Sequence, residues 1–226
     1  MATQGFRLIV FDCDGTLVDS QHGIVSCMTA ACLGLGLAAP DAAAVRKVIG
    51  PSLEQAIEML FPAYDAAALA GITAKYREAA VALRGRADYT EPLFDGIRDV
   101  IDAFARTGSL LGIATGRNRR GLIHTLGVHG LGERFVTLQT PDTCRSKPDP
   151  DMLHKAMAET GVYPEETVIV GDTSYDMLMG RNARTAAVGV GWGYHGVAEL
   201  RDAGALAIAD SAASLPEVLR SLQRIG

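Results

Sequence analysis

Six short runs of apolar and β-branched residues recur along the chain: FRLIVFD, LLGIATG, FVTLQT, TVIVGD, TAAVGVG and ALAIAD. Glycine or aspartate closes five of them and helix-like patterns follow, an alternation that predicts a parallel sheet covered by helices. Their near-continuous apolarity predicts strands buried on both faces, as in doubly wound α/β sheets, where ligands sit beyond the strand C-termini. The rhythm breaks between about Gln21 and Gly85, where only helical patterns occur: GIVSCMTAACLGL, DAAAVRKVIG, SLEQAIEMLF and AAALAGITAKYREAAVALRG. Ser52 and Gln55 read as a capping box ahead of the third, and Gly85 as the stop of the last. The expected organisation is a core made of residues 1–18 and 86–226, interrupted by a helical cap over 19–85 that lies across the sheet's C-terminal edge. Farther on, Asp149-Pro150 reads as an N-cap followed by proline at the first helical position, and Ser214 with Glu217 as another capping box.

Composition narrows what such a fold can serve. The 226 residues are 48% hydrophobic and 21% charged, with no low-complexity block, which describes a globular chain of one to two domains. A net charge of -5 supplies no basic field for nucleic acid or for an anionic membrane surface, so a small diffusible substrate fits better. Cys13, Cys27, Cys32 and Cys144 form no Cys-x-x-Cys pair and are too few for a disulfide scaffold, which predicts reduced thiols. With no signal-like N-terminus and no apolar stretch of ~18 residues, the expectation is a cytoplasmic monomer or homodimer.

The candidate chemistry sits at the strand ends. In FDCDGTLVDS, Asp12 and Asp14 lie two apart on an extended strand end, so both face one volume while Cys13 faces away, and Gly15 permits a sharp turn. Asp172 ends the run TVIVGD, and Asp176 follows at the start of a helix. Carboxylates crowded at one sheet edge raise one another's pKa unless a cation intervenes, and hard oxygen ligands with open positions favour magnesium. Thr115 adds a hydroxyl, Gly116 an approachable backbone N–H and Lys147 a point charge, which together suit the oxygens of a transferring phosphoryl group.

DxDGT, ATG, KPDPD and GDTSYD, in that order and spanning nearly the whole chain, resemble the haloacid dehalogenase superfamily of aspartate-nucleophile hydrolases. The resemblance implies that Asp12 attacks phosphorus, that Asp14 is the general acid/base, and that Asp12, the Asp14 backbone carbonyl and Asp172 hold Mg²⁺. Asp176 is then a support for Lys147 or for a metal-bound water, and Thr16 and Asp19 are structural braces. Asp14 favours phosphatases over the metal-free dehalogenases. EPLFDG and the C-terminal GVGWGYHGVAEL look like phosphoglycolate phosphatases, which makes phosphoglycolate the expected substrate. VRKVIGPSLEQ is similar to the cap loop of those enzymes and of β-phosphoglucomutases, so Arg46, Lys47 and Ser52 become the expected substrate contacts, with Arg46 reading the glycolate carboxylate. Phosphomutases and sugar, nucleotide or pyrophosphate phosphatases of the same superfamily are the alternatives. Two readings lie outside it: a phosphoacceptor receiver domain, and a nucleotide site at Gly191–Gly196, which fits Gly-x-Gly-x-x-Gly. The second motif departs from the asparagine of many relatives, with Gly116 and then Arg117 after the threonine; the arginines of RNRR read as a solvated turn.

Overall fold

The computed structural model describes residues 5–223. Its six strands are β1 (Leu8–Phe11), β2 (Leu110–Ala114), β3 (Thr137–Gln139), β4 (Thr167–Gly171), β5 (Ala186–Val190) and β6 (Ala207–Ala209), one for each apolar run. All pair in parallel, in the order β3-β2-β1-β4-β5-β6. Helices α1 (Gln21–Leu33), α2 (Ala42–Lys47), α3 (Leu53–Leu60) and α4 (Ala66–Arg84) all fall between β1 and β2. Then come α5 (Ile97–Arg106), α6 (Arg119–Val128), α7 (Asp151–Thr160), α8 (Ser174–Ala183), α9 (Val197–Asp202) and α10 (Leu215–Gln223).

Side-chain alternation along the strands divides the core. Ile9, Phe11, Leu111, Ile113, Val168 and Val170 face α5, α6 and α10, packing against Ile101, Phe104, Leu122 and Leu219. Leu8, Val10, Ala114 and Ile169 face the other way, against Leu153 and Ala156 of α7 and Met177 of α8. The inserted helices have an apolar cluster of their own around Met28, Cys32, Val45, Ile57 and Ile72. The result is the doubly wound α/β sheet with an inserted helical cap.

Strand order also determines which loops meet. The crossovers reverse direction at β1, with β2 on one side and β4 on the other, so Phe11 lies opposite both Ile113 and Val170. Residues following these three strands share one crevice at the sheet's C-terminal edge.

Three local expectations shift. Asp149 caps α7 from one position farther out, its Oδ1 accepting from the Asp151 N–H at 3.0 Å, with Pro150 just ahead of the helix. Ser214 closes a short 3-10 turn with Ser211 instead of capping α10, because its hydroxyl donates to the Ser211 carbonyl at 2.8 Å. Gly85 ends α4 at φ -77°, without a left-handed turn. Ser52 does cap α3, its hydroxyl accepting from the Gln55 N–H at 3.4 Å.

Candidate active site

Asp12 leaves β1, Thr115 leaves β2 and Asp172 leaves β4, and all three are buried. Lys147, on the loop before α7, is fully buried with its Nζ 2.8 Å from Asp12 Oδ1 and 2.6 Å from Asp176 Oδ1. Desolvation alone would neutralise this lysine, but Asp12 and Asp176 outweigh it and hold the ammonium charged. Asp176 is saturated: its Oδ2 accepts from the Thr173 N–H at 3.1 Å and from the Thr173 hydroxyl at 2.7 Å, a capping box at the start of α8.

Asp12 is not saturated. Neither of its oxygens makes a hydrogen bond of good geometry, so the approach of Lys147 is an ion pair only. Burial pushes Asp12 well above the usual carboxylate range despite Lys147, with Asp176 and Asp172 adding to the rise. Burial and then Asp176 push Asp172 up to about 7. Oxygens of Asp12, Asp172 and Asp176 lie within 4.8 Å of one another. Two orphaned oxygens inside a buried acidic group are what a hard divalent cation would satisfy, so these residues fit a metal. The Asp14 carboxylate is outside that group, and of the expected metal set only Asp12 and Asp172 bring side chains to it.

The Gly-x-Gly-x-x-Gly stretch finds its use here. The Tyr194 N–H donates to Asp172 Oδ2 at 2.9 Å, and the Thr16 hydroxyl donates to Asp172 Oδ1 at 2.8 Å. A methyl on Gly15 or Gly193 would overlap the Asp172 carboxylate, and Gly15 also turns at φ 85°. These glycines admit a carboxylate of the chain itself. Thr16, expected as a brace, braces Asp172 directly. Asp19 stays at the turn, its N–H donating to the Pro92 carbonyl at 2.8 Å.

Asp14 faces Arg117, which the sequence assigned to a solvated turn and which is in fact buried to 10% side-chain exposure. Arg117 holds Asp14 through both Nε, at 3.1 Å from Oδ2, and a terminal nitrogen on Oδ1. The other terminal nitrogen donates to Glu91 Oε2 and to the Thr125 hydroxyl, each at 2.7 Å. The Ser20 hydroxyl donates to Asp14 Oδ1, and the Ser20 N–H donates to the Tyr194 hydroxyl at 3.0 Å. Burial would raise Asp14, but Arg117 and then Ser20 overcome it and hold the carboxyl below its ordinary value. Ser20, Glu91 and Arg117 lie in or beside stretches that the sequence marked, but no spacing there pairs them with Asp14.

A cavity of about 440 Å³ opens above this floor, lined there by Asp12, Asp14, Thr115, Gly116 and Arg117. The Thr115 hydroxyl accepts from the Arg117 N–H at 3.2 Å, which leaves its own proton to donate. The loop between α2 and α3 seats on this edge. The Ser52 N–H donates to the Ser146 hydroxyl at 2.7 Å, and the Gly50 and Pro51 carbonyls rest against Gly116. Arg46 and Lys47 do not line the cavity. Arg46 Nε donates to Gln21 Oε1 at 2.8 Å, because Val45 of α2 and Val48 and Ile49 just beyond it face inward and the intervening charges point elsewhere. Ser52 contributes a cap and a bridge to Ser146, and it too is absent from the cavity wall.

A doubly wound sheet thus brings Asp12 and Asp14 to the floor of the cavity, with Lys147 paired to Asp12. The chain belongs to the haloacid dehalogenase-like hydrolases, whose family model matches residues 9–190. It is similar to the probable phosphatase IndB of Dickeya dadantii, at 32% identity over 90% of this chain and 89% of that protein. It is also similar to a phosphoglycolate phosphatase of Xylella fastidiosa, at 32% identity over 83% of this chain and 81% of that one. The solved structure of a haloacid dehalogenase-like family hydrolase from Streptococcus pneumoniae superposes with a TM-score of 0.83 at 26% identity, covering 96% of this chain and 99% of that one.

Two glycines give direct tests of this geometry. Gly193→Ala should leave the fold intact but displace Asp172 and weaken divalent-metal binding by roughly 10–100-fold, as loss of a ligand's support typically does; calorimetric titration with Mg²⁺ reads it, and unchanged affinity would refute the role given to the loop. Gly116→Ala should unseat the Gly50-Pro51 loop and lower kcat/KM by on the order of 100-fold, the scale of an ångström-level misplacement. Small-angle scattering should show a more open molecule in that variant.

Proposed function

We propose that this protein is a Mg²⁺-dependent phosphatase that hydrolyses phosphate monoesters through an aspartyl-phosphate on Asp12. The observation that carries the reading is Asp12 itself: buried, with no hydrogen-bonded oxygen, paired with Lys147 and placed on the cavity floor beside Thr115. Residues 19–85 act as the cap over that floor. The family and the phosphatase named in Dickeya dadantii support the same reaction class. Four buried free cysteines suit a reducing cytoplasm.

One carboxylate oxygen of Asp12 attacks phosphorus as the bond to the ester oxygen breaks, and Asp14 gives that oxygen a proton. Asp14 then takes a proton from water, the water oxygen attacks the phosphoryl group, and the phosphorus–Asp12 bond breaks to release inorganic phosphate. The Thr115 hydroxyl, the Gly116 N–H and the Lys147 ammonium hold the phosphoryl oxygens, and Asp176 keeps Lys147 aimed. When held by Asp12 and Asp172, Mg²⁺ supplies positive charge that offsets the repulsion between a carboxylate and a phosphate dianion. Arg117 stabilises the ionised form of Asp14, so the base half of its role is pre-set and the acid half requires that pair to loosen. Phosphoglycolate enters through the relative in Xylella fastidiosa; with Arg46 engaged by Gln21, the carboxylate contact expected of it drops out of the proposal.

Asp12→Asn should eliminate acid-stable phosphoenzyme in rapid-quench labelling and lower turnover on the order of 10⁴-fold or more. Normal labelling of that variant would move the nucleophile elsewhere. EDTA should abolish activity and Mg²⁺ restore it, whereas full activity after exhaustive chelation would overturn the metal assignment.

The raised carboxyls add a readout independent of turnover. A group with a pKa of about 7 is about half protonated at pH 7, and a bound cation favours its ionised form, so metal binding must release protons there. Calorimetry in buffers of different ionisation enthalpy should show this release at pH 7 and a smaller one at pH 8.5, where Asp172 is already ionised. Equal proton counts at both values would contradict it.

A further inference from the structure

The cavity above Asp12 is far larger than a two-carbon acid fills, and at about 440 Å³ it falls within the range of sites that enclose whole organic ligands. Its cap side is hydrocarbon: Ile24 and Met28 of α1, Val45 of α2 with Val48 just beyond it, and the Tyr76 ring and Ala80 of α4. Several of the polar groups among its walls are committed to one another. Arg77 pairs with Glu54, Arg117 with Asp14 and Glu91, and the Tyr89 hydroxyl donates to Glu91 Oε1 at 2.8 Å. Arg120 is exposed and Arg84 is half-buried in the last turn of α4; arginine stems of this kind extend an apolar wall while their charged heads stay hydrated.

A polyhydroxylated sugar placed against this apolar wall would leave the hydroxyls that face it without partners, at a cost for each one buried. A hydrocarbon body would instead displace water from apolar wall. Resting on the phosphatase reading, we propose that the physiological substrate is a phosphate monoester whose alcohol carries an apolar body larger than glycolate, an alkyl chain or hydrocarbon-rich ring, in place of a short acid or a sugar. The phosphoryl group would sit on Asp12 and the apolar body between α1, α2 and α4.

The straight-chain monoalkyl phosphates from ethyl to octyl test this on the Mg²⁺-loaded native protein, since their ester oxygens are chemically almost alike and only the buried length changes. kcat/KM should rise about fourfold for each methylene seated against the wall, until the cavity is full. Hexyl phosphate should exceed glucose 6-phosphate, which has the same number of carbons, by at least about tenfold, and should also exceed phosphoglycolate. In Ala80→Phe, checked for folding by its melting temperature, the rise should stop at a shorter chain. A flat or falling series, or a preference for glucose 6-phosphate or phosphoglycolate over hexyl phosphate, would overturn the substrate class while leaving the phosphatase intact. No turnover of any ester, including p-nitrophenyl phosphate, and no labelling of Asp12 would sink both.

Discussion

The ion pair of Lys147 with Asp12 and Asp176 sets the terms for the rest of the site. Three carboxylates are buried within reach of one another, and a single buried ammonium faces them among the described residues. Removing charge from water is costly unless the partners compensate, and one lysine does not balance three carboxylates. Burial raises Asp12 and Asp172, and the negative charge of their carboxylate neighbours adds to the rise, while Asp14, with an arginine of its own, falls. Close packing around such groups admits almost nothing else. The backbone comes so near that the neighbouring positions are glycine: Gly15 and Gly193 against Asp172, and Gly171 against Asp176.

Much of this was legible in the sequence because it depends on short-range patterns. Each apolar run became a strand, and the stretch lacking strand character became the inserted helices. That Asp12, Thr115 and Asp172 meet at one edge was legible because each follows a strand, and strands of one parallel sheet end on one side. What the sequence hid depends on contacts at long range or on a fraction of a helical turn. Arg117 is buried only because Asp14, 103 positions away, and Glu91, 26 positions away, close over it. Read locally, it belongs to a string of solvated arginines. Arg46 lies one side-chain position from the cavity wall: Val45 takes the inward direction on a short helix, and its charged neighbour turns to Gln21.

The stretch Gly191–Gly196 shows how one pattern can satisfy a different constraint. Spacing suggested a loop opened for a bound nucleotide, whereas the glycine at its centre makes room for Asp172 and the next N–H binds it. Glycine spacing records that something approaches the backbone closely, and only the fold says what that is.

Asp14 is tied to both passages of the chain between sheet and inserted helices: to Ser20, just before α1, and through Arg117 to Glu91, beyond α4. That arrangement limits how the protein can be recombined. A graft that exchanges the helical insertion for another, with joints cut outside Ser20 and Glu91, would import foreign residues into the shell of Asp14 and change the chemistry along with the cavity. Joints placed between those two residues would transfer the cavity walls alone. The boundary that matters for engineering is thus drawn by a hydrogen-bonded carboxylate, directly before the first inserted helix but several residues beyond the last.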